Sequence, residues 1–184
     1  MTLSSLILYR RLCLGFIAVF LAACQGYDVT VNDRVVYSPE PLFSDFDLPD
    51  PGLAACVKQA VIDTMAHRAS DLAVLNCSHA GIESLEGLAV FTGLTHLRLS
   101  SNRLRNLVEL GGLGALRELY LDDNDIVDPV PLYALPSLAV LDLDGNSALQ
   151  CPRPGSFAGL ERVILPDHCR DAGTAPPAAD AIAE

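Results

Sequence analysis

LRELYLDDNDI (116–126) is flanked by LTHLRLSSNRL (94–104) and LAVLDLDGNSA (138–148), and further out by LAVLNCSHAGI (72–82) and LERVILPDHCR (160–170). Each segment begins 22 residues after the one before it, at Leu72, Leu94, Leu116, Leu138 and Leu160. The central copies place Leu94, Leu97, Leu99, Asn102 and Leu104, then Leu116, Leu119, Leu121, Asn124 and Ile126, then Leu138, Leu141, Leu143 and Asn146 at matching offsets. A repeat of this length is one supersecondary unit that cannot bury its apolar face alone, so the copies must stack.

The shared template, L-x-x-L-x-L-x-x-N-x-L, resembles that of leucine-rich repeats. The resemblance implies an α/β repeat fold: a solenoid of about five 22-residue repeats, with a short parallel concave sheet, an N-terminal cap helix and a convex side of 3₁₀ turns. Template positions three to five form the strand, positions four and six point inward, and positions three, five and seven project from the concave face. The return segments keep an apolar period of three, at Ile82, Leu85, Leu88 and Phe91 and at Leu104, Leu107, Leu110 and Leu113, which with Gly87 and Gly112 suits tight 3₁₀-like turns. Asn102, Asn124 and Asn146 are expected to form a structural ladder whose amides bond main-chain groups left open where each strand turns away.

Upstream, Asp50 and Pro51 suit the start of a helix. From Leu53 to about His67, Leu53, Cys56, Val57, Ala60, Val61 and Met65 fall on one helical side, opposite Lys58, Gln59 and Asp63. A terminal coil needs a cover for its leucine core. LPDPGLAACVKQAV (48–61) resembles the caps that precede the repeats of internalin-like bacterial proteins. The first repeat departs from the template at Cys77 and Ala80, the fourth at Cys151-Pro-Arg-Pro154, and the fifth at Val163 and His168, so stacking is expected to stop near Cys169.

The chain opens with Arg10 and Arg11 and an apolar run from Leu12 to Ala23, too short to span a bilayer core that needs roughly 20 residues. The run ends in Leu21-Ala22-Ala23-Cys24, which resembles the lipobox of bacterial lipoproteins. That resemblance implies cleavage before Cys24, a diacylglycerol on its thiol and an acylated amino terminus, a tether strong enough for lasting membrane attachment. Gln25 after the cysteine favours the outer membrane under the enterobacterial sorting rule; ordinary secretion is the alternative. The domain organisation is therefore a signal peptide (1–23), a lipid-anchored hairpin and linker (24–52), a cap helix (53–71), repeats (72–169) and a disordered alanine- and proline-rich tail (170–184). Tyr27–Val31 and Arg34–Tyr37 flank Asn32-Asp33 as a hairpin would, and Ser38–Gly52 reads as an extended linker with Leu42, Phe43 and Phe46 packing locally.

Removing residues 1–23 leaves 10 basic and 23 acidic side chains, a net of −13, which excludes nucleic acid as a natural partner and otherwise serves solubility. With Cys13 cleaved and Cys24 lipidated, Cys56, Cys77, Cys151 and Cys169 remain, and four thiols allow three pairings. Cys77 points into the first coil beneath the cap that carries Cys56, and Cys151 and Cys169 fall on adjacent coils. Repeat geometry thus favours Cys56–Cys77 and Cys151–Cys169 over four free buried thiols, in keeping with an oxidising compartment.

The concave rows are Val74, His96, Glu118, Val140 and Arg162; Asn76, Arg98, Tyr120, Asp142 and Ile164; and Ser78, Ser100, Asp122, Asp144 and Pro166. A surface of His96, Arg98, Glu118, Tyr120, Asp122, Asp142 and Asp144 offers an aromatic among charges, the residue mix of a protein-binding hot spot for a partner with basic groups. A merely solvated acidic face is the alternative, as is a structural envelope lipoprotein without a specific ligand. No cofactor or metal is expected, since Asp122, Asp142 and Asp144 on a flat sheet supply too few oxygens for calcium. Nor is the chain read as an enzyme: a carboxylate hydrolase would need a deep pocket, and His96 and Ser100 on one extended strand lie about 13 Å apart, beyond nucleophile–base reach.

Overall fold

A computed structural model describes residues 29–31, 34–37 and 42–170. The signal peptide, Cys24 and residues 171–184 lie outside the described residues. The chain divides into two compact units, residues 1–41 and 42–184. In the first, β1 (Val29–Val31) and β2 (Arg34–Tyr37) pair antiparallel, with an irregularity in register between Val29 and Thr30.

In the second unit, α1 (Pro51–Thr64) starts at Asp50, whose carboxylate accepts the Leu53 N–H at 2.9 Å. The helix buries Leu53, Val57 and Val61. Met65, expected on that buried face, is instead 64% exposed, because the helix has ended: Met65 takes a left-handed conformation (φ 51°), and the Ala66 N–H closes onto the Val61 carbonyl at 3.0 Å. This 6→1 closure turns the chain so that Ala66 enters the core in its place. The segment before the helix is no free linker from Leu42 onward. Phe43 and Phe46 stack edge-on or tilted against each other and Phe91 at 5.7–6.0 Å, Leu48 is buried, and the Phe43 N–H bonds the Ala66 carbonyl.

Five three-residue strands, β3 (Val74–Asn76), β4 (His96–Arg98), β5 (Glu118–Tyr120), β6 (Val140–Asp142) and β7 (Arg162–Ile164), form one parallel sheet in sequence order. Their register equals the template: Leu75, Leu97, Leu119, Leu141 and Val163 lie side by side. Position-four and position-six side chains of the first four repeats are at most 2% exposed. The return paths carry 3₁₀ turns at Leu88–Val90, Val108–Gly112 and Val130–Ala134. The chain is thus the leucine-rich repeat solenoid its template implied. At its last coil Leu160, Val163 and Leu165 are only partly covered, and a four-residue helix, α2 (Asp167–Arg170), closes the described chain and includes Arg170, assigned from sequence to the tail.

The ladder forms as expected. Asn102, Asn124 and Asn146 are at most 8% exposed, and each amide nitrogen bonds carbonyls of its own and the preceding repeat while its oxygen accepts an N–H from that preceding repeat. Beside it runs a row invisible to composition: the residue before each ladder position has positive φ, at His79 (58°), Ser101 (56°), Asp123 (54°) and Gly145 (70°). Left-handed backbone strains residues with a Cβ by roughly 1–2 kcal/mol. Ser101→Gly is therefore expected to raise the thermal midpoint by about 3 °C in a melting experiment, corresponding to roughly 1 kcal/mol of relieved strain.

Asp50 does more than cap α1. Its second oxygen accepts the Glu83 and Ser84 N–H groups at 2.8 and 3.1 Å, riveting the cap to the first return segment. Burial pushes this carboxyl up, but the backbone donors of Glu83, Leu53, Ser84 and Gly52 together hold it below its ordinary value. A lowered folded pKa stabilises above the unfolded value, about 3.9, and that contribution is lost as pH falls through the folded one. Asp50→Asn should therefore lose about 2 kcal/mol at neutral pH. Melting curves should show the gap from wild type narrowing below about pH 4.

Both disulfides favoured by repeat geometry are present, Cys56–Cys77 and Cys151–Cys169, with Cα separations of 5.7 and 5.1 Å. They tie the cap helix to the first strand's end and the last return loop to α2.

Candidate concave binding face

Parallel register in a solenoid turns template positions into rows, so side chains 22 residues apart become neighbours. Arg98 lies over the Tyr120 ring, its guanidinium carbon 4.1 Å from the centroid. The Tyr120 hydroxyl donates to Glu118 Oε2 at 3.1 Å, and Glu118 Oε1 sits 3.6 Å from His96 Nε2. His96 Nδ1 in turn contacts the Thr95 hydroxyl at 2.8 Å. The ring is therefore held on one side by a cation and at its tip by a carboxylate, so presenting it to a partner requires little ordering.

Next to this network lie the three aspartates. Asp122 accepts the Ser100 hydroxyl at 2.6 Å, Asp144 pairs with Arg170 at 3.0 Å, and Asp142 Oδ1 accepts the Asp144 N–H at 3.0 Å. Burial pushes the Asp142 carboxyl above its ordinary value; the Asp144 N–H opposes this, the charges of Asp122 and Asp144 add to it, and the charge of Arg162 offsets part of it. Ionised Asp142 is thus a charge this face holds against its own preference, and an arriving cation would relieve it.

The geometry brings every sequence-selected surface residue onto this face: His96, Glu118, Tyr120 and Arg98 join in one chain of contacts, and Asp122, Asp142 and Asp144 cluster beside it. His96 is committed to Glu118 and Thr95, and Ser100 to Asp122, a pairing that builds no nucleophile–base couple between them. Sequence reasoning passed over Thr95 and Arg170. Thr95 sits at the second template position, outside the three surface rows. Arg170 reaches Asp144 from α2 across 26 residues, a separation that the 22-residue repeat does not encode.

Comparison with known proteins adds the fold and little more. No family model matches the chain. Leucine-rich repeat-containing protein 56 of Homo sapiens is 46% identical over 76 residues, covering 40% of this chain and 13% of that protein. A Roc-COR-CHAT protease from an unknown prokaryotic organism is 31% identical over 128 residues, covering 69% of this chain and 10% of the protease. The matches thus span only a small part of either relative. Among solved structures, an internalin of Listeria monocytogenes superposes with a TM-score of 0.59 at 21% identity, covering 65% of this chain and 37% of the internalin. Among the described residues no helix is long and apolar enough to cross a membrane.

Proposed function

We propose that this leucine-rich repeat solenoid is a protein-binding module, tethered by lipid on Cys24 to a bacterial cell envelope, at the outer membrane, and that its concave face grips a basic segment of its partner. The observation that carries the reading is the arrangement around Tyr120: an aromatic clamped by Arg98 and Glu118, bordered by Asp142, whose carboxyl is pushed above its ordinary value by burial and by the neighbouring Asp122 and Asp144. Tyrosine and arginine are the residue types that dominate binding energy at interfaces. A lysine or arginine of the partner would neutralise Asp142 and Asp122 while its chain packs on the ring. The tether rests on the lipobox-like Leu21–Cys24 and the apolar run before it.

Tyr120→Ala separates this reading from a purely structural role. The ring is a surface residue whose removal opens no core cavity, so the melting curve should barely move. Retention of the same envelope protein on immobilised variant, compared with wild type, should fall by about 30-fold, the effect of losing a hot spot worth roughly 2 kcal/mol. Equal retention by both proteins would leave the solenoid as an envelope element whose acidic face binds nothing specific.

A further inference from the structure

The C-terminal staple carries a third group the disulfide does not need. Cys151, His168 and Cys169 each place a ligand-type atom within 4.8 Å of the other two, and they are the one such trio of metal-ligating side chains among the described residues. We infer that these residues form a Cys₂His zinc site when the Cys151–Cys169 bond is reduced. The expectation from sequence was a disulfide and no metal. The structure supplies the histidine, brought beside the sulfurs by α2 although nothing in the repeat template marks it.

The chemistry of the donor set fits zinc. Two thiolates and one imidazole leave a fourth tetrahedral position for water. Zn–S bonds of about 2.3 Å require sulfurs about 3.8 Å apart, a modest opening for side chains whose Cα atoms are 5.1 Å apart. His168 keeps a ring nitrogen open to a metal: its Nε2 lies 3.0 Å from the Leu149 carbonyl, which can only accept, so in the neutral ring Nε2 carries the proton and Nδ1 keeps a lone pair. A ligating histidine typically donates its other N–H to such a carbonyl, which fixes the ring. The other disulfide, Cys56–Cys77, belongs to no such trio among the described residues.

Access is uneven in a useful way, because Cys151 is exposed while Cys169 is 7% exposed. A dithiol reductant attacks the Cys151 sulfur as thiolate and expels Cys169 as thiolate. Its second thiol then resolves the mixed disulfide, so the reductant ends as its own disulfide and the protein gains two electrons and two protons. Zn²⁺ displaces those two protons as it binds both thiolates and the neutral imidazole. The last return loop is then tied to α2 by a disulfide under oxidising conditions and by zinc under reducing ones.

The test uses the full chain, reduced with a phosphine, desalted without oxygen and titrated with Co²⁺ as a spectroscopic probe and then with Zn²⁺ against a chromophoric chelator. Expected are one metal ion per chain sensitive to His168, tetrahedral cobalt bands with thiolate charge transfer, and no such bands before reduction. His168→Ala should weaken zinc by at least the roughly 100-fold that loss of even a supporting group can cost. His168→Cys, which replaces the ligand, should restore binding and so excludes a folding defect as the cause. Reduced wild type without thiolate–cobalt bands, or a zinc affinity unchanged in His168→Ala, would overturn the site.

Discussion

Replacing Asn124 by alanine is expected to destabilise the protein by about 3 kcal/mol, measured by chemical denaturation at neutral pH. The central rung of the ladder is only 7% exposed, and its amide nitrogen reaches the Leu99, Leu121 and Asp122 carbonyls at 2.9, 3.0 and 3.2 Å. Its oxygen accepts the Leu104 N–H at 3.0 Å. All three carbonyls keep a second donor after the substitution, Leu99 from Asn102, Leu121 from Asn146 and Asp122 from the Ser101 N–H. The Leu104 N–H has no such reserve, and a buried donor left unpaired costs about 1–3 kcal/mol by itself, to which the lost bonds and the small void are added. Aspartate would not rescue the position, since a carboxylate keeps the acceptor but turns its other oxygen, which can only accept, towards carbonyl oxygens that repel it.

A loss of about 3–5 kcal/mol is expected for Leu119→Ala, against about 1 kcal/mol for Val163→Ala at the equivalent position two repeats later. Leu119 is fully buried, with a coil on each side to hold the cavity open. Val163 occupies the last strand, partly open to solvent, where neighbours can relax and little transfer energy is at stake. Denaturant midpoints of the two variants should therefore differ clearly while their slopes stay alike. Equal losses would mean that the terminal coil is covered as fully as the central one.

Leu119 and Asp142 show why so much of this molecule was legible beforehand. A 22-residue period and a parallel register carry the same information, so writing the repeats under one another already lists the core column and the surface rows. Tyr120 beside Arg98 followed from that alignment alone. What escaped depends on backbone conformation or on contacts between unlike segments. His79, Ser101, Asp123 and Gly145 share a left-handed backbone and no side-chain chemistry. Met65 lies at correct helical spacing, and no glycine there announces that the helix has stopped. Phe43 and Phe46 find Phe91 across more than 40 residues, a pairing without a period to reveal it. His168 reads as a degraded ladder residue until α2 sets it beside two sulfurs.

The most direct test of a binding role for the concave face is site-specific photocrosslinking in intact envelopes, with a photoreactive side chain at Tyr120 and a control at Glu109 in the convex 3₁₀ turn. The expected result is a protein adduct formed from position 120 alone and lost when Asp142→Lys is added to the same chain. Identical labelling from both positions, or an adduct indifferent to the charge reversal, would contradict a partner gripped by Tyr120 and its neighbouring carboxylates.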